Sequence, residues 1–360
     1  MKYHLAFSYF DDLEVINQKA QAGKCPAHLM LNVARLLDAK IHQPNDNFLL
    51  PVDYVYEKII GSQHTWSLAR KVSTAIDDND VIFCTDESIG IPIAKYCGGK
   101  RKGLKIAVFV HNLNRLRGRF ALKLFKVRQH IDLFMTANQK QARFLRDYLD
   151  LAENQVCQFP YQPTDISFFK PKHSLLKKSR PLIVSGGLEQ RDYRTLAQAT
   201  EALNVDVRVS AASPTQTVNL RTFPQAIPAN MSYRYHDWKS LLQLYRDADI
   251  VVISLLQNNF QAGLSTLFEA LACRKPVIVT RSEGIIQELI DEKAVLGVNP
   301  GDYQGLRQAI NSLLADSKQS RAIAEKGHQL VLERYNSQIY TKALVEQLRN
   351  ISSEQFLINV

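Results

Sequence analysis

Three places along the 360-residue chain combine residue types and spacing that could do chemistry. The first is Ile183-Val184-Ser185-Gly186-Gly187-Leu188-Glu189-Gln190-Arg191-Asp192-Tyr193, which reads as a strand, a glycine pair and a basic residue at the mouth of a helix over 194–203. Gly186 and Gly187 lack Cβ atoms, so the backbone there can turn sharply and come close to a phosphate. A helix N-terminus adds unpaired N–H groups and the positive end of a dipole. Arg191 could add a bidentate, charge-assisted contact worth about 1.5–3 kcal/mol. The same residues also suit a plain strand-to-helix turn beside a solvated arginine, and the pattern alone does not separate the two.

The second is Gln261-Ala262-Gly263-Leu264-Ser265-Thr266-Leu267-Phe268-Glu269-Ala270-Leu271-Ala272. It follows an apolar strand over 250–254, where the ligand crevices of open α/β sheets lie. Ser265 suits the N-cap of a helix. Glu269 falls one turn later among apolar neighbours, where a carboxylate is costly unless hydrogen-bonded. Either ligand hydroxyls or nearby backbone amides must answer it. The third is His111, directly after the apolar run that ends at Val110 and so at a strand's carboxyl end, as a working residue or a structural one.

Other patterns fail. Gly98-Gly99-Lys100-Arg101-Lys102-Gly103-Leu104 has the outer glycines of a P-loop but not the Lys-Ser/Thr that must follow. No Gly-x-Gly-x-x-Gly follows a strand, which disfavours a dinucleotide cofactor. Asp78-Asn79-Asp80 has the look of a metal clamp but precedes its strand, which puts it at the far edge of the sheet as a solvated turn. Cys25, Cys84, Cys97, Cys157 and Cys273 are scattered and odd in number, so the sequence predicts neither a disulfide framework nor a zinc site. No metal is expected.

The elements that must position these residues alternate along the whole chain. Short apolar runs at 3–7, 81–84, 106–110 and 133–136 are separated by helical patterns at 27–37, 66–76, 120–129 and 139–149. A basic, helix-poor stretch at 172–180 intervenes. The alternation then resumes with runs at 182–185, 205–209, 250–254, 276–280 and 295–298, and ends in helical patterns at 317–334 and 337–349. This is parallel α/β architecture. It predicts an N-terminal domain over 1–172, a C-terminal domain over 173–335 and a helical tail over 336–360 that packs back on the first domain. Two such units facing each other across a cleft would offer a ligand site. No run of 18 apolar residues occurs, and the polar residues soon after the start do not suit a secretory leader, so a cytoplasmic location is expected. The formal charge of +10 points to anionic partners: nucleic acid, an acidic lipid surface or a phosphorylated small molecule.

With these residues in place, the chain resembles the GT-B family of retaining glycosyltransferases often called family 4, or glycosyl transferases group 1, clearly from about Ile106 to Tyr335. The resemblance is carried by Val110-His111, by Ile131–Asn138, and by Gln162-Pro163-Thr164-Asp165 running to Phe169-Lys170-Pro171. It continues through Gly186-Gly187-Leu188 with Arg191-Asp192, and through Phe268-Glu269-Ala270-Leu271-Ala272-Cys273-Arg274-Lys275-Pro276-Val277-Ile278-Val279-Thr280. Glu283-Gly284-Ile285-Ile286-Gln287-Glu288 and Glu333-Arg334-Tyr335 complete it. The resemblance implies two Rossmann-like domains and a UDP- or GDP-linked sugar as donor, with no cofactor beyond that substrate. It implies that Gly187 and Arg191 hold the diphosphate together with the Ser265/Thr266 helix start, with Gly186, Gly263 and Leu264 also donor-binding, Glu269 on the ribose, and His236 and its aromatic neighbours on the base. His111 would reach the transferred sugar. Gln261 stands where the family has glutamate; its amide can hydrogen-bond a sugar but cannot stabilise positive charge at the anomeric carbon. Gly187 replaces a phosphate-binding arginine and Arg274 a glycine. A sugar-nucleotide epimerase on the same fold and a non-catalytic descendant are the alternatives.

Arg115, Arg117, Arg119, Lys123, Lys126 and Arg128 crowd the segment after His111, interleaved with Leu116, Phe120, Leu122, Leu124, Phe125 and Val127. They mark either the acceptor side of the protein, laid on the anionic inner face of a membrane, or a core helix with a solvated basic face. Nucleic acid is disfavoured, since no recognition module is visible and few aromatics interleave with the charges.

Overall fold

The apolar strand runs are continuous because a parallel sheet is covered by helices on both faces, so alternate residues enter two different buried layers. The computed structural model describes residues 1–45, 48–159, 163–174, 176–211, 222–258, 262–283 and 285–352. Gln162, Gln261 and Gly284 lie outside the described residues. The chain forms two units, Met1–Gln18 with His28–Pro160 and Tyr340–Val360, and Lys19–Ala27 with Tyr161–Ile339.

In chain order the elements begin β1 (Tyr3–Ala6), α1 (Leu13–Gln21), α2 (Leu29–Leu37), β2 (Lys40–His42), α3 (Pro51–Tyr56), α4 (Gln63–Ala75), β3 (Val81–Cys84), α5 (Glu87–Cys97), β4 (Lys105–Phe109), α6 (Leu116–Leu124), β5 (Leu133–Thr136), α7 (Gln139–Leu149) and β6 (Val156–Gln158). The six strands form one parallel sheet in the order β2-β1-β3-β4-β5-β6. Leu5, Phe83, Ala107 and Met135 face one layer with Val33 and Leu37. Ala6, Ile82, Cys84, Val108 and Phe134 face the other, with Trp66, Ile89, Ile93 and Leu145.

The second unit continues with β7 (Leu182–Gly186), α8 (Tyr193–Thr200), β8 (Asp206–Ser210), β9 (Met231–Arg234), α9 (Trp238–Asp247), β10 (Ile250–Ile253), α10 (Leu264–Ala272), β11 (Val277–Thr280), α11 (Ile285–Asp291), β12 (Leu296–Val298), α12 (Tyr303–Ala315) and α13 (Ser317–Glu333). Its parallel sheet has the order β12-β11-β10-β7-β8-β9, the nucleotide-binding doubly wound order, which reverses between β7 and β10. Phe168 and Phe169 are buried in this unit's core, so its packing begins ahead of the basic stretch at 172–180. The last helix, α14 (Ser337–Ser352), buries Tyr340, Leu344, Val345 and Leu348 against the Val33 layer of the first sheet. Among the described residues no helix is long and apolar enough to cross a membrane.

Two local expectations change. The helix expected over 120–129 runs instead over Leu116–Leu124, and a separate short turn covers Val127–Gln129. Phe125 and Val127 are both buried with one residue between them, and Lys126 takes a left-handed φ of 49° to turn the chain so that both reach the core. The turn at Asp78-Asn79-Asp80 is not wholly solvated. Asp80 is 1% exposed and accepts hydrogen bonds from the backbone N of Lys2 at 2.7 Å, the backbone N of Asp77 at 2.9 Å and His4 Nε2 at 3.1 Å. His4 Nδ1 in turn lies 2.9 Å from His42 Nε2. Desolvation, then the neighbouring His4, pushes His42 down to about 4, and burial lowers His4 as well, in a chain anchored on one carboxylate.

Asp80→Ala should therefore leave the buried His4 ring and the backbone N–H groups of Lys2 and Asp77 without this acceptor and cost about 1–3 kcal/mol. Urea unfolding measures this, and a loss of only a few tenths of a kcal/mol would show that the Asp80 network is dispensable.

Candidate functional site

Gly186, Gly187, Arg191, Gly263, Thr266 and Glu269 converge near the switch point of the second sheet, and His236 does not. β7 ends at Gly186, and the chain turns at Gly187 with φ 100°. A Cβ on Gly187 would run into the Arg191 guanidinium, so glycine lets that group pack over this turn. Gly186 is different: a Cβ there would meet Ser210 O and Tyr245 Oη at 3.6 Å, ordinary contact. The turn thus rests on Gly187 alone. Its N donates to Ser210 O at 2.9 Å, and its carbonyl accepts from the Tyr193 hydroxyl.

Arg191 is 4% exposed, held between the end of β7 and the start of α10. Its Nε donates to Gly186 O at 2.6 Å, Nη1 to Glu189 O at 2.8 Å and Nη2 to Thr266 Oγ1 at 3.3 Å. Thr266 Oγ1 lies 3.4 Å from the same Gly186 carbonyl, closing a triangle. Three of the five guanidinium donors are thereby committed to the protein. The sequence suggested an arginine either reaching out to a phosphate or solvated; the structure shows one buried as a tie between two loops. Burial lowers its affinity for the proton, opposed by Tyr193, Tyr245, Glu189 and Glu269.

α10 begins at Leu264 with Gly263 at its N-cap, φ 84°, and no side chain caps the helix. Ser265, expected at that cap, instead lies exposed inside the first turn. The reason is conformational: the cap position is left-handed, and a Cβ on residue 263 would sit 2.8 Å from Ile253 Cγ2. Among the described residues no side chain answers the first N–H groups of α10.

One turn on, Glu269 is half-buried and accepts from Tyr245 Oη at 2.9 Å. Desolvation raises the Glu269 carboxyl to about 7, against the Tyr245 hydrogen bond and the Arg191 charge, which both lower it. Tyr245, at 1% exposure on α9, was not singled out from sequence; a tyrosine spaced among apolar residues of an amphipathic helix looks like core.

His236 lies just past the carboxyl end of β9, two strands from β7. It is nearly buried, and its Nε2 accepts from Arg234 Nε at 3.1 Å. Burial and the Arg234 charge hold its pKa below the usual histidine value. Beside it Tyr235 and Trp238 are exposed.

In the first unit His111 is exposed just beyond the carboxyl end of β4, its ring 5.0 Å from that of Phe109. Its backbone N and that of Asn112 donate to the two Glu87 carboxylate oxygens at 2.8 and 3.0 Å. Glu87, the first residue of α5, thus fixes the loop that carries His111. Sequence reasoning missed it, since an acid in a helix's first turn is unremarkable. Further on, Arg117 donates to the Glu57 and Lys58 carbonyls, and Arg119 to Asn114. Arg119 and Lys123 lie over the Tyr148 ring, and Arg115 stands at the N-cap of α6.

Comparison with known proteins fits this geometry. Residues 181–316 match the family model described as Glycosyl transferases group 1. The lipopolysaccharide core biosynthesis glycosyltransferase LpsE of Rhizobium meliloti (strain 1021) is 24% identical over 170 residues, 47% of this chain and 49% of that protein. The match thus spans about half the length of that curated relative. Among solved structures, sucrose-phosphate synthase from Thermosynechococcus elongatus superposes with a TM-score of 0.71 at 14% identity, over 98% of this chain and 99% of that one. Anabaena HepE in complex with UDP gives 0.67 at 14% identity, over 97% and 100%. The chain has the GT-B fold.

Two outcomes follow from the site. Gly187→Ala should lower stability by about 1–3 kcal/mol, through the left-handed φ and displacement of Arg191, and a thermal melt reports it. An unchanged melting temperature would mean that Arg191 is not held as described. Glu269 has a folded pKa above its ordinary 4.5, so it favours the fold less as pH rises from about 4.5 through about 7. A ligand that hydrogen-bonds the ionised carboxylate should stabilise the protein more at about pH 8 than at about pH 6. That difference should vanish in Glu269→Gln.

Proposed function

We propose, since residues 181–316 match the Glycosyl transferases group 1 model, that the protein moves a sugar from a UDP- or GDP-linked donor to a lipid or glycan acceptor. Transfer proceeds with retention, without a catalytic metal and without a cofactor, at the inner face of a membrane. The observation that carries the donor half is the convergence of Arg191, Gly186, Gly187, Thr266 and the uncapped start of α10 at the β7/β10 switch point.

In such a transfer the bond between the anomeric carbon and the diphosphate breaks, and a bond to an acceptor oxygen forms. The charge left on the diphosphate must be neutralised as it develops. The N–H groups of Leu264, Ser265 and Thr266 supply donors and a helix-dipole end, and Arg191 supplies a fixed positive charge behind them. A pre-bonded arginine cannot rotate away, so its field costs no reorganisation during the reaction. Glu269 accepts from ribose hydroxyls, and the aromatic groups around His236 stack on the base. The family resemblance assigns His111 to the transferred sugar, and its loop is held by Glu87. The uridine alternative gains support from the UDP named in the HepE complex; retention rests on the family resemblance. Gln261 would hydrogen-bond the sugar without stabilising an oxocarbenium charge, and this substitution also favours a second reading, a non-catalytic protein that binds the nucleotide alone.

A thermal-shift screen with UDP-, GDP- and ADP-sugars in the presence of EDTA tests the proposal. One nucleotide at ten times its Kd should raise the melting temperature by roughly 3–6 °C. Arg191→Ala and Glu269→Ala should abolish the shift. Absence of any shift at millimolar concentration would overturn the donor site. A shift without release of nucleoside diphosphate in the presence of membrane lipid and glycan acceptors would favour the non-catalytic reading.

A further inference from the structure

The outer face of α6 breaks the pattern of a helix on a protein surface. Gly118, Ala121 and Leu122 face the core of the first unit. Opposite them, Leu116, Phe120 and Leu124 stand four residues apart in one stripe, 86%, 55% and 47% exposed. A surface helix ordinarily turns such residues inward, and a contiguous exposed apolar stripe marks a face that is covered in use.

The flanks of the stripe identify what covers it. Arg115, Arg119 and Lys123 lie along one side of the helix and Arg117 along the other, with Lys126 just beyond. No Asp or Glu occurs between Asn112 and Ile131. Arg119 and Lys123 rest over Tyr148 at 5.6 and 5.2 Å, so aromatic contact steadies their stems at the rim of the stripe. Large apolar side chains in the centre with cations on both flanks match the boundary between acyl chains and phosphate headgroups.

We infer that α6 is the element by which the first unit docks on an anionic lipid surface, Leu116, Phe120 and Leu124 entering the headgroup boundary and the flanking cations meeting lipid phosphates. It rests on the proposed transfer to a membrane acceptor for its purpose, while the docking itself needs no donor and no turnover. Because α6 begins five residues after His111, docking would bring the His111 loop close to the plane of the membrane.

Co-sedimentation of the full chain with vesicles tests this. Vesicles of phosphatidylcholine with about one third phosphatidylglycerol should bind the protein, and phosphatidylcholine alone should bind it poorly. Raising salt from about 0.05 to 0.5 M should weaken the binding. Leu116→Ser with Phe120→Ser, and separately Arg115→Glu with Lys123→Glu, should each reduce partitioning about ten-fold, since both the apolar and the electrostatic parts are needed. Arg101→Glu, a charge change outside α6 on the loop after α5, should leave it near wild type. Because the altered side chains are exposed, melting temperatures should not move, and nucleotide-induced shifts should persist. Loss of docking would then leave the transfer reading standing, and loss of nucleotide binding would leave docking standing. Equal binding to both kinds of vesicle, wild-type partitioning by either double variant, or binding to RNA in preference to anionic vesicles would overturn the inference.

Discussion

The second unit depends on one buried cation. Arg191 joins three chain segments that the sheet alone would leave loose: the end of β7, the 188–190 turn and the first turn of α10. A guanidinium at 4% exposure is costly to desolvate, and its hydrogen bonds to two carbonyls and a hydroxyl repair only part of that cost. Around it the local sequence is constrained. Residue 187 must be glycine because the guanidinium occupies the space of its Cβ, and residue 263 must be glycine because the adjoining cap is left-handed and presses on Ile253.

This arrangement has an electrostatic direction. The buried positive charge and the start of α10, which no described side chain caps, both lie where the strand order reverses, and together they favour an anion there. Glu269 sits one turn deeper, held partly protonated near neutral pH by burial. On the proposed reading, an acceptor of hydroxyls and a cradle for negative charge, one helical turn apart, would suit a nucleoside diphosphate better than either a free phosphate or a free sugar. The first unit offers no comparable set among its described residues. Its exposed His111, on a loop clamped by Glu87, contributes a single group beside a basic, partly apolar surface.

Much of this was legible in the sequence, for identifiable reasons. Buried parallel strands are uniformly apolar, so β3, β5, β7, β10 and β11 stand out, and the motif from Phe268 to Thr280 carries the family resemblance. What escaped depends on contacts distant in sequence. The burial of Asp80 is set by Lys2 and His4, over seventy residues away, and Tyr245 acquires a polar role only when α9 meets α10. Ser265 looked like a cap because serine caps helices well, yet the backbone conformation required glycine two residues earlier. The boundaries of α6 shifted because burial of Phe125 and Val127, not helix periodicity, decided where the chain turned. Gln261, where the chain departs most from the family pattern, lies outside the described residues.

The central claim is that the switch-point crevice of the second unit holds a nucleoside diphosphate on Arg191 and the start of α10, with the ribose on Glu269. The most direct measurement is a crystal structure of the protein grown with UDP, or with GDP should that be the nucleotide that stabilises it. The account predicts diphosphate oxygens against the amides of Leu264–Thr266 beside the Arg191 guanidinium, and ribose hydroxyls on the Glu269 carboxylate. A nucleotide bound elsewhere, or one bound there with Glu269 still paired to Tyr245 alone, would contradict it.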